Sequence, residues 1–261
     1  MTVKPKDMQD HMAQYTDENY VDGWAALWDK GGDLPSDEGF PNPALEDTLV
    51  QQQMTLGLPI VNVNRCKALV PGCGRGVDVL LLASFGYDAY GLEYSATAIE
   101  ACKKEEAENY SWYQVRDQAV GRGKVTFVQG DFFDDAWLQE IGVSRNGFDL
   151  VYDYTVPLRH TQLLAPSPLG NLICLEFPRP KDPKAAGPPY ASPSEAYMEH
   201  LSHPGEEIPY DDKGFVNQHT LTPSKAGFES VAHWQPERTL PRGQYENGMI
   251  HDRVSIWHRR Y

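Results

Sequence analysis

The chain has 261 residues, 23 Lys plus Arg against 37 Asp plus Glu, a formal net charge of -14, and 41% apolar residues including 11% aromatics. That composition excludes a disordered chain, and a chain of this length buries enough apolar surface to need no disulfide framework. The acidic balance excludes a protein that holds nucleic-acid phosphates or anionic lipid by its field alone, so neither nucleic acid nor membrane is expected as a partner.

In chain order, Met1 to Asp10 contains no apolar run of the kind that targets a chain for export. No later stretch approaches the ~18 apolar residues of a membrane span, so a cytoplasmic, monomeric protein is expected. Residues 1–60 read as a helical cap. Tyr20, Trp24, Leu27 and Trp28 fall at i, i+4, i+7 and i+8 on one helix face, and Pro35, Pro41 and Pro43 punctuate the next stretch of chain. From Lys67 the pattern becomes short apolar runs alternating with helical stretches: Ala68 to Val70, Val77 to Phe85, Tyr87 to Leu92, Ala96 to Ala107. That βαβα order predicts a parallel sheet covered on both faces. Val125 to Gln129, Phe148 to Tyr152 and Asn171 to Phe177 add buried strands, with a helix at Asp135 to Glu140. Phe177 to Pro189 is dense in proline and reads as a loop over the sheet edge. A helix over Ser194 to Leu201 precedes two alternating runs, Phe228 to Gln235 and Ile250 to Trp257, expected to close one edge as an antiparallel pair. One domain is expected, residues 1–60 capping a core of residues 61–261.

Four elements carry chemistry. The strand Lys67 to Val70 runs into Pro71-Gly72-Cys73-Gly74-Arg75-Gly76 and then a helix, and glycines there let a ligand approach the backbone beside a helix N-terminus. A dinucleotide fingerprint needs its third glycine at position 77, where Val77 stands. Glu93 ends the second strand, placed to accept from both hydroxyls of a ribose. Gln129-Gly130-Asp131-Phe132-Phe133 ends the next, with Asp131 suited to an exocyclic amine and Phe132 to a purine face. Asp153-Tyr154 follows the fourth strand. All four lie at carboxyl ends of parallel strands, where open α/β sheets bind ligands. Cys66, Cys73, Cys102 and Cys174 form no CxxC pair and have no His at ligand spacing, so reduced thiols and no metal are expected.

In this order and spacing the elements resemble the class I S-adenosylmethionine-dependent methyltransferases. The resemblance implies a Rossmann-like α/β fold, a mostly parallel seven-stranded sheet with an antiparallel C-terminal edge. Trp24-x-x-x-Trp28, Leu69 to Gly74, Asp153-Tyr154 and Gly187-Pro188-Pro189-Tyr190 are similar to the thiopurine S-methyltransferase family, which includes plant thiol and halide methyltransferases. Phe40 to Leu49, Leu69 to Ser95, Val128 to Phe133, His160 to Glu176 and Ala196 to Glu206 resemble a fungal branch, the gliotoxin bis-thiomethyltransferases. The implied activity is S-methylation of a small-molecule thiol, for instance a reduced epipolythiodioxopiperazine dithiol. The implied cofactor is S-adenosylmethionine, leaving S-adenosylhomocysteine. A cofactor-binding pseudoenzyme and an O- or N-methyltransferase of another metabolite are the alternatives.

The resemblance also implies roles. Trp24 and Trp28 cover the methionine end of the cofactor, Gly72 and Gly74 line its turn, Glu93 holds the ribose, and Asp131 and Phe132 hold the adenine. Tyr154 sits near the methyl, Tyr154 and His160 orient or deprotonate the thiol, and Tyr20 and Tyr190 contact substrate. Two departures stand out. Pro35-Ser36-Asp37 replaces the family's Pro-Trp-Asp, and only Val156-Pro157 separates Thr155 from Leu158-Arg159-His160 where the family has a longer apolar stretch.

Overall fold

A computed structural model describes residues 5–16, 19–31, 34, 37–154, 167–177, 182, 184, 187–188, 190, 192–218 and 222–260. Helices come first: α1 (Pro5–Met12), α2 (Tyr20–Asp29), α3 (Pro43–Gln51) and α4 (Gln53–Leu56). The start of α3 is set by local chemistry. Asn42 Oδ1 accepts from the Ala44 N–H at 2.9 Å, and Pro43 fills a position whose missing N–H costs the helix nothing. A short hairpin follows, β1 (Ile60–Val61) and β2 (Asn64–Arg65).

The βα core then runs β3 (Lys67–Pro71), α5 (Val77–Ser84), β4 (Asp88–Glu93), α6 (Ala96–Asn109), β5 (Val125–Gln129), α7 (Ala136–Ile141), β6 (Leu150–Tyr154) and β7 (Asn171–Glu176). It closes with α8 (Ser194–Ser202), β8 (Phe228–Trp234) and β9 (Arg253–Arg259). The seven strands lie in the order β5-β4-β3-β6-β7-β9-β8. β3 to β7 pair in parallel, and β9 runs antiparallel between β7 and β8. The Rossmann-like sheet and its antiparallel edge are those the sequence predicts.

Beyond shifts of one or two residues at element ends, two strand boundaries move and one hairpin is new. β6 continues through Tyr154 because Asp153 and Tyr154 keep pairing with Cys174 and Leu175. β9 starts at Arg253 rather than Ile250, since the N–H groups of His251 and Asp252 turn back onto the Gly243 carbonyl. The β1–β2 hairpin is not in the sequence pattern; its turn puts Asn62 and Val63 at φ 48° and 65°, and a valine there is no turn signal.

Alternation along the central strands feeds two cores. Leu150, Tyr152, Ile173 and Leu175 pack with α3 and α5 on one face, while Val151, Leu172 and Cys174 pack with α7 and α8 on the other. A third cluster joins α1 to α2 through Met8, Met12 and Leu27, with Tyr20, Trp24 and Trp28 against it. The chain steps outward from β3 to β5, then returns to β6 beside β3. That reversal opens a crevice at the carboxyl ends of β3 and β6.

Gly91, on β4, shows how tightly the crevice floor is packed. A Cβ there would lie 2.7 Å from Cys73 Sγ, 2.9 Å from Phe127 and 3.0 Å from Val79. Gly91→Ala is expected to lower stability by about 1–3 kcal/mol through overpacking, read as a lower urea midpoint at unchanged slope.

Candidate active site

The Gly-rich turn leaves β3 with Gly72, Gly74 and Gly76 at φ 59°, 55° and 81°, the left-handed region that side chains with a Cβ resist. Glu93 fixes this turn. Its Oε2 accepts from the Gly74 N–H at 2.9 Å, and its Oε1 accepts from the N–H groups of Tyr94 at 2.8 Å and Ser95 at 3.2 Å. A carboxylate offers about four lone-pair sites, so one stays open, on Oε2. Burial pushes the Glu93 carboxyl up from its ordinary value, and the same amides pull it back. On the other side of the turn, Cys102 donates to the Gly74 carbonyl at 2.9 Å, and Cys73 Sγ lies 3.9 Å from Cys102 Sγ. The contact with Cys102, together with burial, pushes the Cys73 thiol far up, which leaves it a poor nucleophile.

Beside the turn is a cleft of about 420 Å³ lined by Ala25, Asp29, Tyr94, Ser95, Gln129 and Asp131 among others. α2 roofs it. The Tyr94 hydroxyl donates to Asp22 at 2.8 Å and the Thr97 hydroxyl to Asp29 at 2.5 Å, tying α2 to the start of α6. Trp28 stands over the turn, with Cζ2 3.6 Å from where a Cβ on Gly74 would be. Trp24 is one turn earlier, edge-on to Tyr20 with centroids 6.4 Å apart. Asp131 is on the cleft wall, where its Oδ1 accepts from the Phe133 N–H at 2.9 Å. Phe132 packs on the core face that holds Tyr90 and Trp137.

Across the crevice, Tyr154 ends β6 with its hydroxyl buried and without a partner among the described residues. The Arg242 guanidinium lies 5.3 Å from the Tyr154 ring centroid, and Arg242 Nε lies 3.6 Å from Glu38. Burial pushes the Tyr154 phenol well up, with Arg242 pulling partly against it. It is therefore a hydrogen-bond donor at neutral pH, suited to orienting a thiol rather than deprotonating one. Tyr20 is likewise pushed up, by burial and by the Tyr190 phenol beside it, so the two residues assigned to substrate from the sequence are neighbours. His160 and Ser36 lie outside the described residues.

Sequence reasoning missed several residues here. The loop from Asp37 to Asn42 is anchored three times: Asp37 pairs with Arg75 at 2.6 Å, Glu38 meets Arg242, and the Asn42 N–H donates to Asp78 Oδ1 at 2.9 Å. Asp252, fully buried, accepts from the Thr239 hydroxyl at 2.5 Å and lies 3.2 Å from His251. Asn42-Pro43 is a readable helix start, and Asp78 is an acid in the first turn after the glycines. Arg242 has no local signal, because only sheet closure carries it to Tyr154. Among the described residues, no group of His, Cys, Asp or Glu is arranged to hold a metal, and no helix is long and apolar enough to cross a membrane.

A family described as Thiopurine S-methyltransferase (TPMT) matches residues 21–236. The chain belongs to that family. It is an S-adenosylmethionine-dependent S-methyltransferase. It is 29% identical over 237 residues to "Probable thiol methyltransferase 2" of Arabidopsis thaliana, covering 85% of this chain and 88% of the relative. It is 28% identical over 224 residues to "Thiocyanate methyltransferase 1" of Brassica oleracea, covering 80% and 85%. Among solved structures, one described under "Conversion of a Disulfide Bond into a Thioacetal Group during Echinomycin Biosynthesis" aligns with a TM-score of 0.58 at 17% identity, covering 92% of each chain. The geranyl diphosphate C-methyltransferase of Streptomyces coelicolor A3(2), solved with S-adenosyl-L-homocysteine, aligns with a TM-score of 0.50 at 11% identity, covering 96% of this chain and 87% of the other. These likenesses share the fold. The residues present suit the cofactor: a glycine turn in the left-handed region with only Trp28 within 4 Å of a Cβ built on Gly74, and an acceptor site open on Glu93.

Asp78 gives a pH test. Burial pushes its carboxyl up to about 6, with the Asn42 amide and Arg242 pulling down. A carboxyl whose folded value exceeds its unfolded one favours folding below the unfolded value and loses that contribution as pH rises through the folded one. Asp78→Asn is therefore expected to stabilise the protein at about pH 7.5 and to lose that advantage near about pH 4, by urea unfolding at both.

Proposed function

We propose that this methyltransferase acts on small-molecule thiols, with reduced dithiols of the gliotoxin type as its substrate class, in self-protection or secondary-metabolite tailoring. The observation that carries the reading is the open, buried Tyr154 hydroxyl, with Arg242 beside it, across the crevice from the glycine turn. The relative named for thiol methylation supports it.

S-adenosylmethionine supplies an electrophilic methyl on a positively charged sulfur. In this reading Trp24 and Trp28 cover that charge, an indole face being worth about 0.5–2 kcal/mol to a cation. Gly72 and Gly74 line the turn, the open Glu93 acceptor takes a ribose hydroxyl, and Asp131 and Phe132 take the adenine. Tyr20, Tyr190 and Tyr154 border the thiol. In-line displacement asks the protein mainly to hold sulfur and methyl in near-attack geometry and to exclude water. A free thiol, with an ordinary value near ~8.5, is already a few per cent thiolate at neutral pH, so no strong base is needed. Tyr154 donates to the thiolate, Arg242 favours its charge, and His160 is the proposed proton acceptor. Residues 1–60 act as the cap of one cytoplasmic, monomeric domain.

The test is to incubate the protein with S-adenosylmethionine and a reduced cyclic dithiol and follow the small molecule's mass, with phenols and amines in the same panel. Methylated dithiol is expected. Cofactor binding by calorimetry with no methylated thiol would support the pseudoenzyme reading instead. In the same instrument, Glu93→Ala is expected to weaken cofactor binding by about 1–3 kcal/mol, because hydroxyl and amide partners lose their acceptor; unchanged affinity would remove Glu93 from the site.

A further inference from the structure

Two of the four thiols touch at the cofactor turn. Cys73, inside the glycine turn, has its Sγ 3.9 Å from the Sγ of Cys102, which faces it from α6. Cys102 Sγ also donates to the Gly74 carbonyl at 2.9 Å. Gly74 is thus held at both of its backbone groups, its N–H by Glu93 at 2.9 Å and its carbonyl by Cys102. The other two thiols lie elsewhere: Cys66 donates to the Leu58 carbonyl at 3.5 Å, and Cys174 is wholly buried on the α7 and α8 face of the sheet.

The two sulfurs share a space that glycines leave open. A Cβ on Gly91 would lie 2.7 Å from Cys73 Sγ, and a Cβ on Gly76 would lie 3.2 Å from Cys102 Sγ. A disulfide needs sulfurs about 2.0 Å apart, so these must approach by about 1.9 Å, within the swing of a thiol about χ1. Rotating Cys102 toward Cys73 takes its sulfur off the Gly74 carbonyl, and a disulfide sulfur has no hydrogen to donate. Closing the bond therefore removes one of the two anchors of Gly74.

We propose that Cys73 and Cys102 are a modification site: a small-molecule disulfide oxidises them to a reversible intramolecular disulfide, which loosens the glycine turn and weakens cofactor binding. The proposal depends on the cofactor and goes beyond the choice of thiol substrate. Cys73, the more exposed of the two, attacks one sulfur of the small disulfide, and the other sulfur leaves with the proton that Cys73 gave up. Cys102 then loses its proton and attacks Cys73 Sγ, expelling the second small thiol. The cysteines lose two electrons and two protons, and the small disulfide gains both. The contact with Cys102 and burial, with Glu93 adding to them, hold Cys73 protonated, so the first step is slow at neutral pH and quickens as pH rises. By linkage, bound cofactor must favour the two thiols by the same factor by which the disulfide weakens its binding.

The test incubates the protein with glutathione disulfide at about pH 8.5, where more of the thiol is ionised, and maps it by non-reducing trypsin digestion and mass spectrometry. Arg75 lies between the two cysteines, so a linked pair of peptides reports the bond. A pair two hydrogens lighter than the two thiol peptides is expected. Binding of S-adenosyl-L-homocysteine, read by calorimetry, should weaken on the order of tenfold and recover with reductant. The same ligand present during oxidation should lower the linked fraction. Cys73→Ser lacks the attacking thiol, so its affinity should be equal in reducing and oxidising buffer. Cys102→Ser lacks the resolving thiol and should trap a glutathione adduct on Cys73, which carries the same distinction should Cys73→Ser fail to fold. A wild-type adduct that never resolves onto Cys102, two unmodified thiols, or a linked protein that binds the cofactor product as before overturns the proposal and leaves the methyltransferase reading standing. Reduced protein that binds the cofactor product but methylates no thiol removes the proposed function and not this thiol pair.

Discussion

One buried carboxylate holds this site in shape. Glu93 accepts N–H groups from two separate loops, Gly74 on the turn after β3 and Tyr94 and Ser95 on the turn after β4. Glycines in the left-handed region have nothing of their own to keep them there, since the freedom that admits the conformation also admits others. Glu93 supplies that constraint. Its reach extends further, because the two residues it fixes have their own tasks. Ser95 caps α6 by accepting the Ala98 N–H at 3.2 Å, and Tyr94 holds Asp22 on α2. The glycine turn, the start of α6 and the roof helix are thus set by one group.

The second half of the site is assembled from distant stretches of chain. The loop of Asp37, Glu38 and Asn42 ties the helical cap to the glycine turn, to the C-terminal turn and to α5. Tyr154 arrives from β6, and Arg242 from the connection before β9. In the proposed reading, cofactor and nucleophile meet where these pieces converge.

Much of this was legible in the sequence, for reasons that are local. Buried parallel strands such as Leu69 and Val70 on β3 or Leu172 to Leu175 on β7 are continuous apolar runs, and glycine at alternate positions after β3 announces a turn that only glycine adopts readily. The placement of Trp28, Glu93 and Asp131 around the glycine turn and cleft was readable because each sits at a fixed place relative to a strand end or a helix face. The rest depends on contacts that no spacing encodes. Arg242 meets Tyr154, and Asp78 meets Asn42, only once the sheet has closed and the cap has folded back. The β1–β2 hairpin was hidden because its tightest turn uses valine. That Glu93 spends most of its acceptor capacity on backbone amides was also invisible, since a strand-end acid offers the same letter whether it binds a ribose or a loop.

The most direct test is amide hydrogen exchange at Gly74, Tyr94 and Ser95, measured by NMR on the free protein and with S-adenosyl-L-homocysteine. Because Glu93 already accepts all three N–H groups, they should be protected in the free protein and more so with the cofactor product bound. Exchange at open-loop rates in the free protein, with no added protection on binding, would show that Glu93 does not organise the site.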